Sequence, residues 1–211
     1  MSKDIGIIDL KLSNLHNVKL ACDKLKIKSH FVDTEKEILN CKALILPGVG
    51  SFQEAMKKIK LLNIEDSIKE SIYKKKPFLG ICLGMQLLFT EGYENGKSYG
   101  LKIFPGQVKK LNFSETKNDK FSIPNVGWNK IMITKNKTKS LNNVKNNDFM
   151  YFVHSYFVKP LNQEIVSSTV KYGNQVFCSS LESNNVFAFQ FHPEKSSSGG
   201  LQIYKNFKNI I

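Results

Sequence analysis

The chain has no arginine: all 31 of its basic side chains are lysine, against 18 acidic ones, for a formal net charge of +13 over 211 residues. Arginine supplies the bidentate fork that reads phosphate and guanine, so its absence argues against a base-specific nucleic-acid partner. The lysines also run throughout the chain, interleaved with twenty asparagines, instead of forming one stripe. That spread reads as solubility, with weak nonspecific attraction to polyanions only at low salt. Long apolar runs are lacking too: lysine, aspartate or asparagine interrupts each one short of the ~18 to 20 residues of a membrane span. The start, Met1-Ser2-Lys3-Asp4 followed by Ile5-Gly6-Ile7-Ile8-Asp9, has an apolar run too short and too acid-flanked for a secretory signal, so a cytoplasmic location without a membrane partner is expected. Cysteine is sparse, at 22, 41, 82 and 178, with no CxxC pair and no histidine at zinc-ligand spacing. Neither a disulfide framework nor a metal site is expected, and no cofactor.

What is present suits one compact domain spanning residues 1–211. Apolar residues make up 41% and charged residues 23%, close to the soluble globular average, which excludes wholesale disorder. The first ninety residues alternate between strand-like and helix-like patterns. Ile5-Gly6-Ile7-Ile8, Ala43-Leu44-Ile45-Leu46 and Pro77-Phe78-Leu79-Gly80-Ile81 are short apolar runs of the buried-strand type. Helical periodicity follows each one: Leu15 to Lys26 behind a Ser13-Asn14 cap, a lysine-rich segment from Ser51 through Tyr73, and Met85 to Phe89. This alternation predicts a mostly parallel sheet covered on both faces. Beyond about residue 100 the texture changes to short β-like runs, at 107–111, 131–134, 150–153, 165–170, 176–181 and 186–191, and then a helix-compatible tail at 200–210. The stretches 112–120 and 135–147 are rich in lysine and asparagine and read as surface loops.

The sharpest local signal is Gly80-Ile81-Cys82-Leu83-Gly84. It has the G-x-nucleophile-x-G form, with an apolar run before it and a helical one after it. A nucleophile on such a strained turn needs glycine neighbours, because a Cβ there would strike the adjacent strand or helix. A helix N-terminus behind Cys82 favours its thiolate. Of the four histidines, His192 stands out in Phe191-His192-Pro193-Glu194. It follows an apolar strand, Pro193 biases it towards extended backbone, and residues i and i+2 share a face, which sets Glu194 beside the imidazole. That completes a nucleophile, base and orienting carboxylate. His154 has no neighbouring carboxylate and is a weaker base candidate; His16 and His30 read as exposed helix or strand residues. Pro47-Gly48-Val49-Gly50 follows the second apolar strand and offers backbone N–H groups to an oxyanion, together with that of Leu83.

The three segments together resemble the class I, triad-type glutamine amidotransferases, over essentially the whole chain. Further landmarks are Ile7-Ile8-Asp9, Ser13-Asn14-Leu15, Ser51-Phe52, Met85-Gln86-Leu87-Leu88-Phe89, Pro105-Gly106, Gly127-Trp128-Asn129, His154-Ser155-Tyr156 and Lys195-Ser196. The resemblance implies a single flavodoxin-like α/β domain with additional strands in its C-terminal half, and hydrolysis of L-glutamine to glutamate and ammonia by Cys82, His192 and Glu194. It places Gly48, Val49 and Leu83 at the oxyanion site, with a backbone rearrangement around Val49 as the activating step. Gly50, Gln86, Glu94, Ser155 and Tyr156 fall at the glutamine-binding positions. Within the family the match is closest to glutaminase subunits of histidine biosynthesis, which pair as heterodimers with a separate (β/α)8-barrel cyclase and channel ammonia into it; Asn14, Trp128, Asn129 and Lys195 match positions near that interface. A lone tryptophan such as Trp128, taken without the resemblance, is more often core than contact. The chain departs from the family pattern at Leu10, Lys11 and Ser13, at His16 and at Asn125-Val126, all in segments expected to face the cyclase. Those departures also fit a paralogue whose ammonia serves another synthase, such as one building a surface sugar.

Overall fold

The computed structural model describes residues 4–12, 15–113, 121–135 and 138–211. In chain order the elements are β1 (Ile5–Ile8), α1 (His16–Lys24), β2 (Ser29–Val32), α2 (Glu35–Asn40), β3 (Ala43–Leu46), α3 (Phe52–Leu61), α4 (Glu65–Tyr73), β4 (Phe78–Ile81), α5 (Leu83–Leu87), β5 (Phe89–Gly92), β6 (Ser98–Tyr99), β7 (Phe104–Lys110), β8 (Asn125–Ile133), β9 (Phe149–His154), β10 (Tyr156–Pro160), β11 (Val166–Tyr172), β12 (Gln175–Ser183), β13 (Val186–Phe189) and α6 (Ser197–Ile210). Nine strands form one sheet in the order β2-β1-β3-β4-β13-β12-β11-β8-β9, and a smaller sheet runs β10-β7-β5-β6. The strands from β2 to β13 are parallel to their neighbours; from β13 onward every pairing is antiparallel.

The inner parallel strands β1, β3, β4 and β13 are apolar and buried throughout because both sheet faces are covered there, whereas the edge strand β2 is not. In β3, Ala43 and Ile45 point into one core with Val18, Cys22, Ile203 and Phe207 of α1 and α6, whereas Leu44 and Leu46 point into the other with Ile38, Met56, Ile59 and Ile68 of α2, α3 and α4. This two-residue alternation between buried faces is what an uninterrupted apolar run looks like once folded. No helix among the described residues is long and apolar enough to cross a membrane.

The α/β architecture with extra C-terminal strands agrees with the sequence reading, and several boundaries differ. The expected cap Ser13-Asn14 lies outside the described residues, and α1 starts behind Leu15 without a side-chain cap. The segment 51–73 is two helices, because Asn63 takes a left-handed backbone (φ 54°) and lets Ile64 turn into the core. The helix after Cys82 stops at Leu87; Phe89 opens β5 and pairs with Phe104. Strand β8 begins six residues before the expected Ile131, at Asn125, and carries an exposed face that apolar patterning does not reveal. The 135–147 stretch is only partly superficial: Ser140, Leu141 and Val144 are buried, and Asn206 of α6 donates to the carbonyls of Ser140 and Asn142 at 2.9 and 2.7 Å.

Candidate active site

β3, β4 and β13 are adjacent parallel strands, so the turns at their C-terminal ends meet in one crevice. They deliver Pro47-Gly48-Val49-Gly50, Cys82 and the Gln190 to Glu194 segment respectively. Cys82 sits in a forced conformation, φ 53° and ψ −109°, between β4 and α5. Its backbone N–H donates to Phe189 O at 2.7 Å, tying the elbow to β13. Gly84 shows why the motif needs glycine: a Cβ there would lie 1.8 Å from the carbonyl oxygen of Leu46. The expectation therefore holds for Gly84, and a Cβ at Gly80 would press less severely, at 3.1 Å, on the backbone of Gly84 and Met85.

His192 is extended (φ −99°, ψ 96°), and Pro193 turns the chain so that Glu194 comes back beside it. The Nδ1 to Oε1 distance is 2.7 Å with both side chains about 5% exposed or less. Two further bonds fix the turn: His192 N–H donates to Tyr151 O at 2.9 Å, and Ser196 Oγ donates to His192 O at 2.6 Å. Burial lowers the basicity of His192, but the charges of Cys82 and Glu194 on either side outweigh it and hold its pKa well above the ordinary imidazole value. The second ring nitrogen, Nε2, is buried without a hydrogen-bond partner among the described residues. A thiol, an imidazole favoured as the cation and a buried carboxylate thus stand in sequence, which is the electrostatic arrangement of an activated sulfur nucleophile.

Beside Cys82 lies a cleft of about 230 Å³ lined by Val49, Gly50, Leu83, Gln86, Glu94, Val153, Ser155 and Tyr156, among others. All five residues expected to bind glutamine border it. Their partners restrict what each can offer. Gln86 Nε2 donates to Tyr156 O at 2.8 Å and to Gln190 Oε1 at 3.2 Å, so its carbonyl oxygen is the atom left for a ligand. One Glu94 oxygen accepts from Phe52 N–H at 2.7 Å, at the start of α3. At the expected oxyanion site, the Leu83 N–H donates to Gly48 O at 3.4 Å. Gly48 and Leu83 are therefore brought together, but as acceptor and donor; the N–H expected to serve an oxyanion is engaged.

Sequence reasoning ranked His154 below His192 as a base, and the structure engages both of its ring nitrogens. His154 lies on β9 at the cleft, buried, with Nδ1 2.9 Å from Tyr156 O and Nε2 3.1 Å from Asn125 Nδ2. A carbonyl can only accept and an amide nitrogen only donate, so the ring is neutral with its proton on Nδ1. Burial chiefly, with the neighbouring His192 charge adding to it, pushes its pKa down to about 4. Gln190 is the residue the sequence reading missed; a glutamine between two phenylalanines at the end of an apolar strand was the available signal. Of the expected interface residues, Trp128 is half exposed on β8 and packs edge-on against Tyr151 at 5.9 Å, Lys195 Nζ stands 5.8 Å from the same ring, and Asn129 donates to Asn125 Oδ1 at 3.1 Å. Asn14 lies outside the described residues.

The profile of the glutamine amidotransferase class-I family matches residues 6–210, and the chain belongs to that family. Within it, the similarity is to imidazole glycerol phosphate synthase subunit HisH. The Caldanaerobacter subterraneus subunit is 45% identical, with 98% of each chain covered, and that of Pyrococcus furiosus is 43% identical, again over 98% of each. Among solved structures, a glutamine amidotransferase crystal structure matches with TM-score 0.74 at 18% identity, covering 98% of this chain and 97% of that one. The structure of PurLQS from Thermotoga maritima matches with TM-score 0.72 at 17% identity, over 100% and 99%. These two structures share the fold.

Proposed function

We propose that the chain is the glutaminase subunit of imidazole glycerol phosphate synthase, working in histidine biosynthesis, with residues 1–211 forming one amidotransferase domain. The observation that carries the chemistry is the buried line of Cys82, His192 and Glu194, with a 2.7 Å imidazole–carboxylate contact, at the ends of neighbouring parallel strands. Cys82 attacks the carboxamide carbon of glutamine. His192 accepts the thiol proton and delivers a proton to the leaving ammonia, and Glu194 holds the imidazole and stabilises its cation. Water activated by His192 then cleaves the thioester, releasing glutamate and restoring the thiol. Gln86 through its carbonyl oxygen and Glu94 through its free oxygen suit the α-amino group, and Ser155, Tyr156 and Gly50 complete the pocket.

For the acyl step, the segment around Val49 rearranges so that Gly48 O leaves Leu83 N–H and the turn offers its own N–H to the oxyanion. Support for this comes from the engaged Leu83 donor and from the exposure of Val49. The ammonia passes to a separate (β/α)8-barrel cyclase docked over Asn14, Trp128, Asn129 and Lys195. Keeping it out of water preserves its nucleophilicity, because ammonium has no free lone pair.

The test is glutamate release by the purified chain, with and without the cyclase of the same organism and its nucleotide substrate. Strong stimulation is expected, together with loss of all glutamate release in Cys82→Ala while the fold persists. Retained activity in that variant rejects the nucleophile; activity that the cyclase leaves unchanged rejects the proposed acceptor.

A further inference from the structure

We propose that Gln190 is a further catalytic residue, whose side-chain N–H bonds the Cys82 sulfur and stabilises it as the thiolate. The inference rests on the reading of Cys82 as the nucleophile. It starts from an atom whose role is unambiguous, the backbone carbonyl of Tyr156, which can only accept. Gln86 approaches that oxygen at 2.8 Å, so the approaching atom is its nitrogen. The same nitrogen lies 3.2 Å from Gln190, which makes the facing atom of Gln190 its carbonyl oxygen. The other end of the Gln190 amide, Nε2, then points at Cys82 Sγ, 3.7 Å away. The amide direction is thereby fixed by the network and has no equivalent flipped state.

The sulfur has a second polar neighbour, Val153 O at 3.9 Å, which accepts from a thiol S–H and repels a thiolate. Ionisation of Cys82 removes the one contact and needs a donor to replace it, and Gln190 supplies that donor. The side chain has no alternative purpose in water: Gln190 is 0% exposed, between two buried phenylalanines, and its backbone N–H is anchored to Ser179 O at 2.9 Å. A buried amide whose nitrogen had no acceptor would be destabilising, so the sulfur is its structural as well as its chemical partner. Hydrogen bonds to a charged group are stronger than those to a neutral one, and the contact therefore favours the ionised form.

The experiment is the pH dependence of iodoacetamide labelling at Cys82, followed by peptide mass spectrometry, which requires no glutamine turnover. In Gln190→Met the labelling midpoint is expected to rise by about one pH unit, with kcat for glutamate release falling about tenfold. Gln190→Glu, of the same shape but without the donor, is expected to raise it at least as far. In the unaltered chain, the ¹⁵N side-chain amide resonances of Gln190 are expected to shift with the same midpoint as the labelling, a readout that depends on no variant folding. An unmoved midpoint in either folded variant, or amide resonances blind to the Cys82 ionisation, overturns the proposal. Failure of the glutaminase reading looks different: the unaltered chain would release no glutamate even with the cyclase and its nucleotide substrate, although the midpoint still moved with Gln190.

Discussion

A buried imidazole between a thiol and a carboxylate does not titrate alone, so the rate of glutamate release depends on macroscopic ionisations that belong to Cys82 and His192 together. Replacing Glu194 by glutamine keeps the shape but removes the charge that favours the His192 cation and introduces an amide donor that can face Nδ1 and select the wrong tautomer. A fall in kcat of roughly 10²–10⁴-fold is expected, measured by glutamate release at saturating glutamine. His154 gives a prediction of a different kind. Unfolded, its ring takes a proton near pH 6.5; folded, burial delays that to about pH 4. Between those values the unfolded chain binds more protons, so stability that is fully present above pH 6.5 is lost as the pH falls towards 4. The loss attributable to this ring is on the order of 3 kcal/mol. Urea midpoints at neutral pH and near pH 4.5, compared between the unaltered chain and His154→Gln, measure it; the variant should lose less on acidification. The sequence offered His154 only as a second-rate base, because the burial that keeps it neutral, and the Asn125 and Tyr156 contacts that fix its tautomer, arise from tertiary packing that spacing does not express.

At the scale of elements, the strand–turn–helix around Cys82 is the most constrained part of the chain. α5 has only five residues and packs its backbone on the end of β3, with no room between Gly84 and Leu46 O for a methyl group. Gly84→Ala is expected to destabilise by about 1–3 kcal/mol, since backbone cannot rotate away as a side chain can. A lowered urea midpoint, together with weakened glutaminase activity as the elbow shifts, is the outcome to look for. This element was legible in advance because all its determinants are local: an apolar run, a glycine on each side of the cysteine and helical spacing beyond. The short strands β2, β5, β6 and β10 were not, since two to five residues carry too little periodicity to stand out. They form because neighbouring strands hold their backbone, as Phe104 holds Phe89 and Val108 holds Val158. The exposed face of β8 escaped patterning for the opposite reason: Val126 and Trp128 are apolar residues turned to solvent, where pattern rules place polar ones.

For the whole molecule, that exposed face is the feature that matters. Trp128 and Val126, about half exposed, lie together with Tyr151 and Lys195 on the side of the sheet that also carries the His192 turn. A large aromatic ring with a cation beside it is a typical anchor of an interface. Trp128→Ala is expected to weaken association with the cyclase by about 10- to 100-fold, corresponding to the loss of one hot-spot side chain. Titration calorimetry or the concentration of cyclase needed for half-maximal stimulation would measure it, and unaltered affinity would move the interface elsewhere. The +13 charge has no such focus along the sequence, where the lysines run from end to end.

By itself the sequence determined the layered α/β class and singled out Cys82, His192 and Glu194 as the candidates for nucleophile, base and orienting carboxylate. Those features depend on neighbours within a few residues: two-face burial of apolar runs, the glycine-flanked cysteine, and the His192-Pro193-Glu194 segment, which brings Glu194 to the imidazole through a 3₁₀ turn at Pro193–Lys195 and not through the extended i to i+2 alternation expected. Tertiary structure alone decided which protons and lone pairs face one another. Gln86 meets Tyr156 across 70 positions and Gln190 across 104, and Gln190 meets Cys82 across 108. An amide can turn either end towards a partner, and only the packed arrangement of distant strands and turns selects which end meets the sulfur.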